Sequence, residues 1–258
     1  MVTRYEVWLN KKSLSAIDPA IYILDIAYGA PKFAMAANDI PGRNGQRITD
    51  RYAQSTSVVV TFEIRETDVA RRQEVAGRVQ AWAMQGGALT TNDRRGQRLN
   101  VICEDPPSIG SALKWTQALK MTFTAYEQPF WEDEHPRTVT LEGTDAQKSL
   151  YVPGFGAYAR AEATVRNMSG GVISALTVQT GESTFEFEGL GLTNGATLEI
   201  GYKENGMLYI RCGEETKMQC RTARSDDDLM IQTGKAETVG VRATGAVSAT
   251  FKARGLYL

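Results

Sequence analysis

Two different apolar spacings run along the first half of the chain. In SVVVTFEIR, residues 57–65, Val58, Val60, Phe62 and Ile64 alternate with Ser57, Thr61, Glu63 and Arg65, and Val59 is the one exception. Period two predicts a strand with one buried face. The period then changes. Val75, Ala76, Val79, Trp82 and Ala83 fall on one stripe at helical spacing. Glu66, Thr67 and Asp68 supply caps and a negative first turn. Glu74 and Arg78 make an i,i+4 pair, and Gly86-Gly87 ends the helix. Arg72 lands on the apolar stripe, either snorkelling outward or meeting a partner. ALTTNDRRGQRLNVICE, residues 88–104, predicts a hairpin turning at Asp93 to Gly96. In LKMTFTAY, residues 119–126, Leu119, Met121, Phe123 and Ala125 point inward, and this strand runs into EQPFWEDEHP, residues 127–136.

After that stretch the pattern is β throughout. Phe185 and Phe187 share one face of TFEFE. Leu198, Ile200 and Tyr202, then Asn205-Gly206, then Leu208 and Ile210 read as a hairpin. The final stretch, residues 238–258, predicts two short strands around Thr244-Gly245. Many short strands with no convincing helix indicate a β-sandwich. All four tryptophans, Trp8, Trp82, Trp115 and Trp131, lie at or before residues 127–136. The expected domains are therefore 1–132 and 133–258, an α+β half followed by an all-β half.

Composition narrows the class. With 258 residues, 42% hydrophobic and 23% charged, the chain can bury a real core. A formal charge of -1 argues against nucleic acid or anionic lipid as the main partner. Three cysteines, Cys103, Cys212 and Cys220, with no C-x-x-C spacing suit reduced thiols of a protein made in the cytoplasm. A Cys212–Cys220 pair across a hairpin is the alternative. MVTRYEVWLNKK lacks an apolar signal core, and no run of ~20 apolar residues exists, so neither secretion nor membrane insertion is expected. Asn167-Met168-Ser169 matches a glycosylation sequon, read here as a chance match in a turn.

The tempting chemistry is Glu132, Asp133, Glu134 and His135, the only histidine. A zinc site needs three or four ligands on converging elements. Neighbours in an extended segment point in opposite directions, and Pro136 restricts the histidine. These residues read as a solvated acidic connector. Asp226, Asp227 and Asp228 lack the alternating spacing of a calcium loop and read as a turn. GLGLTNG and PGFGAY do not lead from a strand into a helix, and no G-x-S-x-G occurs. No catalytic residue, metal ligand or cofactor is therefore assigned, and the chain is not read as an enzyme. Pro129, Phe130 and Trp131 are the candidate domain-junction anchor, with about 1.5–3 kcal/mol available from each buried ring; ordinary core is the alternative. Tyr202 and Tyr209 are candidate glycan contacts, with core packing as the alternative.

In order of elements, the chain has a strand, a capped helix, a hairpin, and a long strand ending MTFTAYEQPFWEDE. A glycine-rich β domain follows, containing CRTARSDDDLMIQTGKAETVGVRATGAVSATFKARGLYL. This resembles the distal tail protein (Dit-like) family of long-tailed, non-contractile phages or prophages. The matching motifs are Pro129-Phe130-Trp131, the Asp227-Asp228-Leu229…Thr233-Gly234 segment and the basic strand Phe251 to Leu258. The family's proline before the glycine is absent from Gln232-Thr233-Gly234. The resemblance implies a mainly β fold: a tail-tube-like β-sandwich or split barrel with one flanking helix, then a galectin-like β-sandwich. It implies a hexameric ring at the virion tail tip that joins the tail tube to the tip, with DNA only as passing cargo. It further implies docking of receptor-binding or other tip proteins, after synthesis in the bacterial cytoplasm.

A closed ring needs a heterologous interface. Candidate elements are an arm-like N-terminus, Tyr5 to Asp18 with Trp8 and Leu9, and a loop at Asn38 to Gln54 with Arg43, Arg47 and Arg51. A plain solvated loop is the alternative for the latter. Two other functions compete: a carbohydrate-binding module, and a cell-wall hydrolase built on the acidic stretch.

Overall fold

Alternation of apolar and polar residues sets most of the strands. A computed structural model describes residues 5–39, 46–108, 117–181, 183–203 and 206–258, with backbone alone at 38–39 and 46–51. The chain divides into two compact units, Met1–Glu132 with Leu258, and Asp133–Tyr257.

The first unit contains β1 (Val7–Leu9), β2 (Lys12–Ser13), β3 (Ile21–Tyr28), β4 (Lys32–Asp39), β5 (Gln46–Ile64), α1 (Val69–Ala83), β6 (Gly87–Thr91), β7 (Gln97–Asp105) and β8 (Leu119–Ala125), and β9 (Trp131–Asp133) lies at its end. The strands run in the order β2-β1-β6-β7-β8-β5-β3, with β4 on β5. Every register between them is antiparallel. Val58, Val60, Phe62 and Ile64 are buried as the alternation predicts, and α1 buries Val75, Ala76, Val79, Trp82 and Ala83. Trp82 meets Phe123 edge to face at 6.0 Å and donates through Nε1 to Lys12 O at 3.0 Å. Asp68 caps α1 by accepting from Ala70 N at 3.0 Å. The imperfection in the stripe is real: Arg72 is buried, and its Nη2 donates to Thr67 O at 3.2 Å. The guanidinium thus bonds backbone at the start of its own helix.

Two expectations change in this unit. The N-terminal segment is no arm, because β1 lies inside the sheet between β2 and β6. The expected loop at 38–54 is strand from Gln46 onward, part of the 19-residue β5.

Asp18 ties the β2–β3 connection to α1. Its buried carboxylate accepts from Ala20 N at 3.0 Å and from Arg78 Nη2 at 2.8 Å, with Arg71 at 3.8 Å. The Ala20 amide bond, helped by Arg78 and Arg71 and opposed by burial, holds this carboxyl below the ordinary carboxylate range. A depressed native pKa stabilises the fold above the unfolded value of about 4, and that contribution is lost as pH falls through the native value. Asp18→Asn should cost about 1–2 kcal/mol near neutrality, at the low end because both arginines remain solvated. Urea unfolding at several pH values should show the gap between variant and wild type closing below pH ~4.

The second unit contains β10 (Arg137–Tyr151), β11 (Tyr158–Asn167), β12 (Leu176–Thr180), β13 (Ser183–Phe187), β14 (Thr197–Tyr202), β15 (Leu208–Cys212), β16 (Glu215–Thr216), a 3-10 turn at Met218–Cys220, β17 (Met230–Gln232), β18 (Ala236–Ala253) and β19 (Leu256–Tyr257). Their order is β13-β12-β18-β11-β14-β15-β16, with β10 on β18 and β17 on β11. The two short strands expected around Thr244-Gly245 are one long strand. Residues 239–243 of β18 pair with β12, and residues 247–253 pair with β11. Thr244-Gly245 marks the change of partner. Phe185 and Phe187 meet edge to face at 6.4 Å in the core of this unit.

The sequon asparagine lies inside that core. Asn167 is 0% exposed at the end of β11. Its Nδ2 donates to Gly171 O at 2.8 Å and Leu192 O at 2.7 Å. Its Oδ1 accepts from Ser169 N and Ser169 Oγ, both at 2.8 Å. One side chain therefore fixes two turns against a strand end, and in the folded unit this amide is out of reach of a glycosylating enzyme.

Candidate functional site

An exposed β-ribbon is the main surface feature. Residues 56–62 of β5 pair with β8, and residues 21–28 of β3 cover 58–64. Among the described strands, residues 46–55 pair with β4 alone. Register places Phe33 opposite Ala53, Ala34 opposite Tyr52 and Met35 opposite Arg51. Cross-strand partners share a face and successive residues alternate, so Phe33 and Met35 lie on one face and Tyr52 on the other. They are 40%, 60% and 53% exposed. A two-stranded ribbon is marginal alone in water. Apolar residues on both of its faces give it no inside and mark a surface for association.

The sequence-predicted interface residues are spread out. Trp8 is half-buried and Leu9 is buried in the core of the first unit. Arg43 lies outside the described residues. Arg47 and Arg51 fall on β5, with their side chains outside the described residues. The sequence reading missed Phe33, Met35 and Tyr52. The alternating KFAMAAND was the available signal.

The aromatic motif ends the first unit. Pro129 and Trp131 are buried and Phe130 is half-buried. Trp131 meets Tyr28 edge to face at 5.6 Å. The Arg94 guanidinium lies 4.5 Å from the Tyr28 ring centroid and 4.9 Å from that of Trp131. It also donates through Nη1 to Leu258 O at 2.7 Å. Tyr28 Oη donates to Asp93 Oδ1 at 2.6 Å and lies 2.9 Å from Thr91 Oγ1. Burial, with Asp93 beside it, holds the Tyr28 phenol well above its ordinary range.

The acidic stretch does not converge. Glu132 Oε2 lies 3.5 Å from Arg98 Nη2 in the first unit. In the second unit Arg254 donates to Asp133 O at 2.8 Å and to Glu134 O, while Glu134 and His135 are exposed. Among the described residues, no three His, Cys, Asp or Glu side chains could hold a metal ion.

Asp226 is part of a strap. Its N donates to Thr184 O at 2.9 Å, its Oδ2 accepts from Thr184 N at 2.7 Å, and Thr222 N donates to Glu186 O at 2.9 Å. Residues 221–226 thereby cover the outer edge of β13. Tyr202 is half-buried, and its hydroxyl accepts from Leu229 N at 2.9 Å, with Arg160 5.2 Å from its ring centroid. Burial raises its pKa. Tyr209 crosses directly over Gly201, where a Cβ would lie 2.7 Å from its hydroxyl, and the Arg211 guanidinium stands 5.1 Å from its ring centroid. Both rings are thus held by their own unit. Tyr209 and Arg211 also border an open cavity of about 350 Å³ with Lys203, Glu214 and Thr216.

No family model matches the chain, and no curated protein matches it. Solved structures do. The SPP1 Dit (gp 19.1) protein, a hub of the adsorption apparatus of phages infecting Gram-positive bacteria, superposes with a TM-score of 0.69 at 11% identity, covering 98% of this chain and 99% of that one. A chain of the phage P2 baseplate in its activated conformation with Ca gives 0.53 at 8% identity, over 99% and 98%. A chain of the same baseplate with Sr gives 0.55 at 7% identity, over 97% of both. Mainly β, with one α-helix among the described residues and matched from end to end, the chain has the Dit fold.

Proposed function

We propose that the protein is a structural, non-catalytic component of a phage tail tip or baseplate. Six copies close into a ring that joins the tail tube to the tip, through which DNA passes. Residues 1–132 build the ring, and residues 133–258 form the peripheral galectin-like domain on which receptor-binding or other tip proteins dock. The protein is made in the bacterial host cytoplasm and ends in the virion. The observation that carries this reading is the end-to-end likeness to the Dit hub protein, with neither chain left with a large unmatched part.

The β4–β5 ribbon supports the oligomeric part of the reading. Its apolar side chains on both faces suit a heterologous contact, in which one surface of each copy meets a different surface of the next. Native mass spectrometry and negative-stain microscopy, alone and with the tail-tube protein, are expected to show a six-membered ring. A monomer under both conditions overturns the reading. Met35→Asp combined with Tyr52→Asp should weaken ring assembly by at least roughly thirtyfold, as two apolar interface anchors worth over ~1 kcal/mol each are lost. Circular dichroism should show the fold unchanged, because both side chains are exposed in the single chain.

A further inference from the structure

Strand β10 forms the outer edge of the second unit along its whole length. Its residues 137–143 lie beside the half of β18 that pairs with β11, and residues 145–151 beside the half that pairs with β12. Among the described strands it pairs with β18 alone. On the β12 side the opposite edge is β13, strapped by residues 221–226, and on the β11 side it is the two-residue β16. Uncovered edges template the addition of further strands. The segment Thr138-Val139-Thr140-Leu141 has four residues suited to strands and no charge.

The outward-facing groups can be identified. Thr140 pairs with Thr250, and their hydroxyls lie 3.1 Å apart. That closeness belongs to the narrow, non-hydrogen-bonded kind of pair, whose own N–H and C=O point away from the partner strand. Thr140 therefore offers its carbonyl to the free edge. Lys148 Nζ donates to it at 2.7 Å. Eight residues of straight strand would separate the two positions by ~26 Å, far beyond a lysine's reach. The strand bends to allow the contact, at the register shift between Gly143 and Asp145, where Gly143 has φ 135°. The concave side is an open cavity of about 610 Å³ lined by Thr140, Leu141, Glu142 and residues 145–148.

We infer that Lys148 locks this edge: bolted across the bend, its ammonium occupies the acceptor at which a strand from a second copy would begin to pair. The second copy is the occupant to be kept out, since it brings the same uncharged Thr138–Leu141 segment to every encounter. The charged residues flanking that segment, Arg137, Glu142, Asp145 and Lys148, have the gatekeeping placement that resists such pairing.

Sedimentation velocity over a concentration series tests the lock. Lys148→Val, at an exposed position, should form species larger than the wild-type species, with self-association tightened roughly tenfold, as expected for one charge-assisted hydrogen bond. Adding Thr140→Pro removes the outward N–H without disturbing the β18 ladder and should return the wild-type pattern. A Lys148→Val protein that sediments like wild type overturns the inference, as does association that persists in the Thr140→Pro double variant. The reference is the wild-type species whatever its stoichiometry, so a missing ring and a missing lock are separate results.

Discussion

Asn167→Asp is expected to destabilise the second unit by about 3 kcal/mol near neutral pH, toward the low end for an uncompensated buried charge, because one oxygen keeps its two Ser169 donors while the other faces two carbonyls. The change is nearly isosteric, so the effect comes from hydrogen-bond sign. The two Nδ2 protons point at Gly171 O and Leu192 O, at 2.8 and 2.7 Å. A carboxylate replaces that donor pair with an acceptor facing two carbonyls, at a residue with no solvent exposure. Protonation relieves half of the conflict. Burial and the two carbonyls raise the folded pKa of the introduced carboxyl above its unfolded value of about 4. The folded state then binds more protons than the unfolded state, so the penalty is smallest below pH ~4 and grows as pH rises. Asn167→Ala should cost less, about 1–3 kcal/mol, and show no such pH dependence. The four tryptophans all precede this unit in the sequence, so tryptophan fluorescence is a poor reporter of its unfolding. Hydrogen exchange of the β11 and β14 amides against urea provides the measurement. Equal stability of the two variants at pH 8 would contradict the argument.

That asparagine also shows what the sequence conceals. A sequon in a glycine-bearing stretch reads as a turn, and a turn does follow it. The burial of Asn167 depends on the Leu192 carbonyl as well as on that turn, and Leu192 meets it only in the fold. Strands with one buried face were legible because burial imposes period two, as along Val58 to Ile64 and Leu119 to Ala125. The helix was legible for the same reason, down to Arg72 as its misfit. The ribbon was not. Residues 46–54, QRITDRYAQ, carry no period-two apolar alternation, so a strand looked like a loop. Strand β18 was split in two because Thr244-Gly245 reads as a turn, although it marks a change of partner within one strand. The resemblance to the distal tail protein family rested on element order and weak motifs, and the end-to-end superposition on the SPP1 Dit protein carries that fold with only 11% identity. At the candidate site, KFAMAAND carries the alternation of Phe33 and Met35, but their exposure and that of Tyr52 are properties of the fold.

Trp131→Ala should cost the first unit about 3–5 kcal/mol, the range for truncating a buried large aromatic. The residue is 3% exposed, against Tyr28 at 5.6 Å and beneath Arg94 at 4.9 Å. Its loss leaves a cavity beside a ring that cannot slide to fill it, because the Tyr28 hydroxyl is held by Asp93 at 2.6 Å. Trp131→Phe keeps the edge-to-face contact and should recover a large part of the loss. Arg94→Ala tests the half-buried cation above the rings and should cost about 1–2 kcal/mol, counting its hydrogen bond to Leu258 O. Urea unfolding read by Trp8 and Trp82 fluorescence ranks the three. The physical reason for the order is that the indole contributes buried area, whereas the arginine contributes its position over two rings and one hydrogen bond to Leu258 O. If Arg94→Ala were the more damaging, charge and not packing would hold the end of this unit together, and Phe130, half-buried beside it, would then be the aromatic to examine.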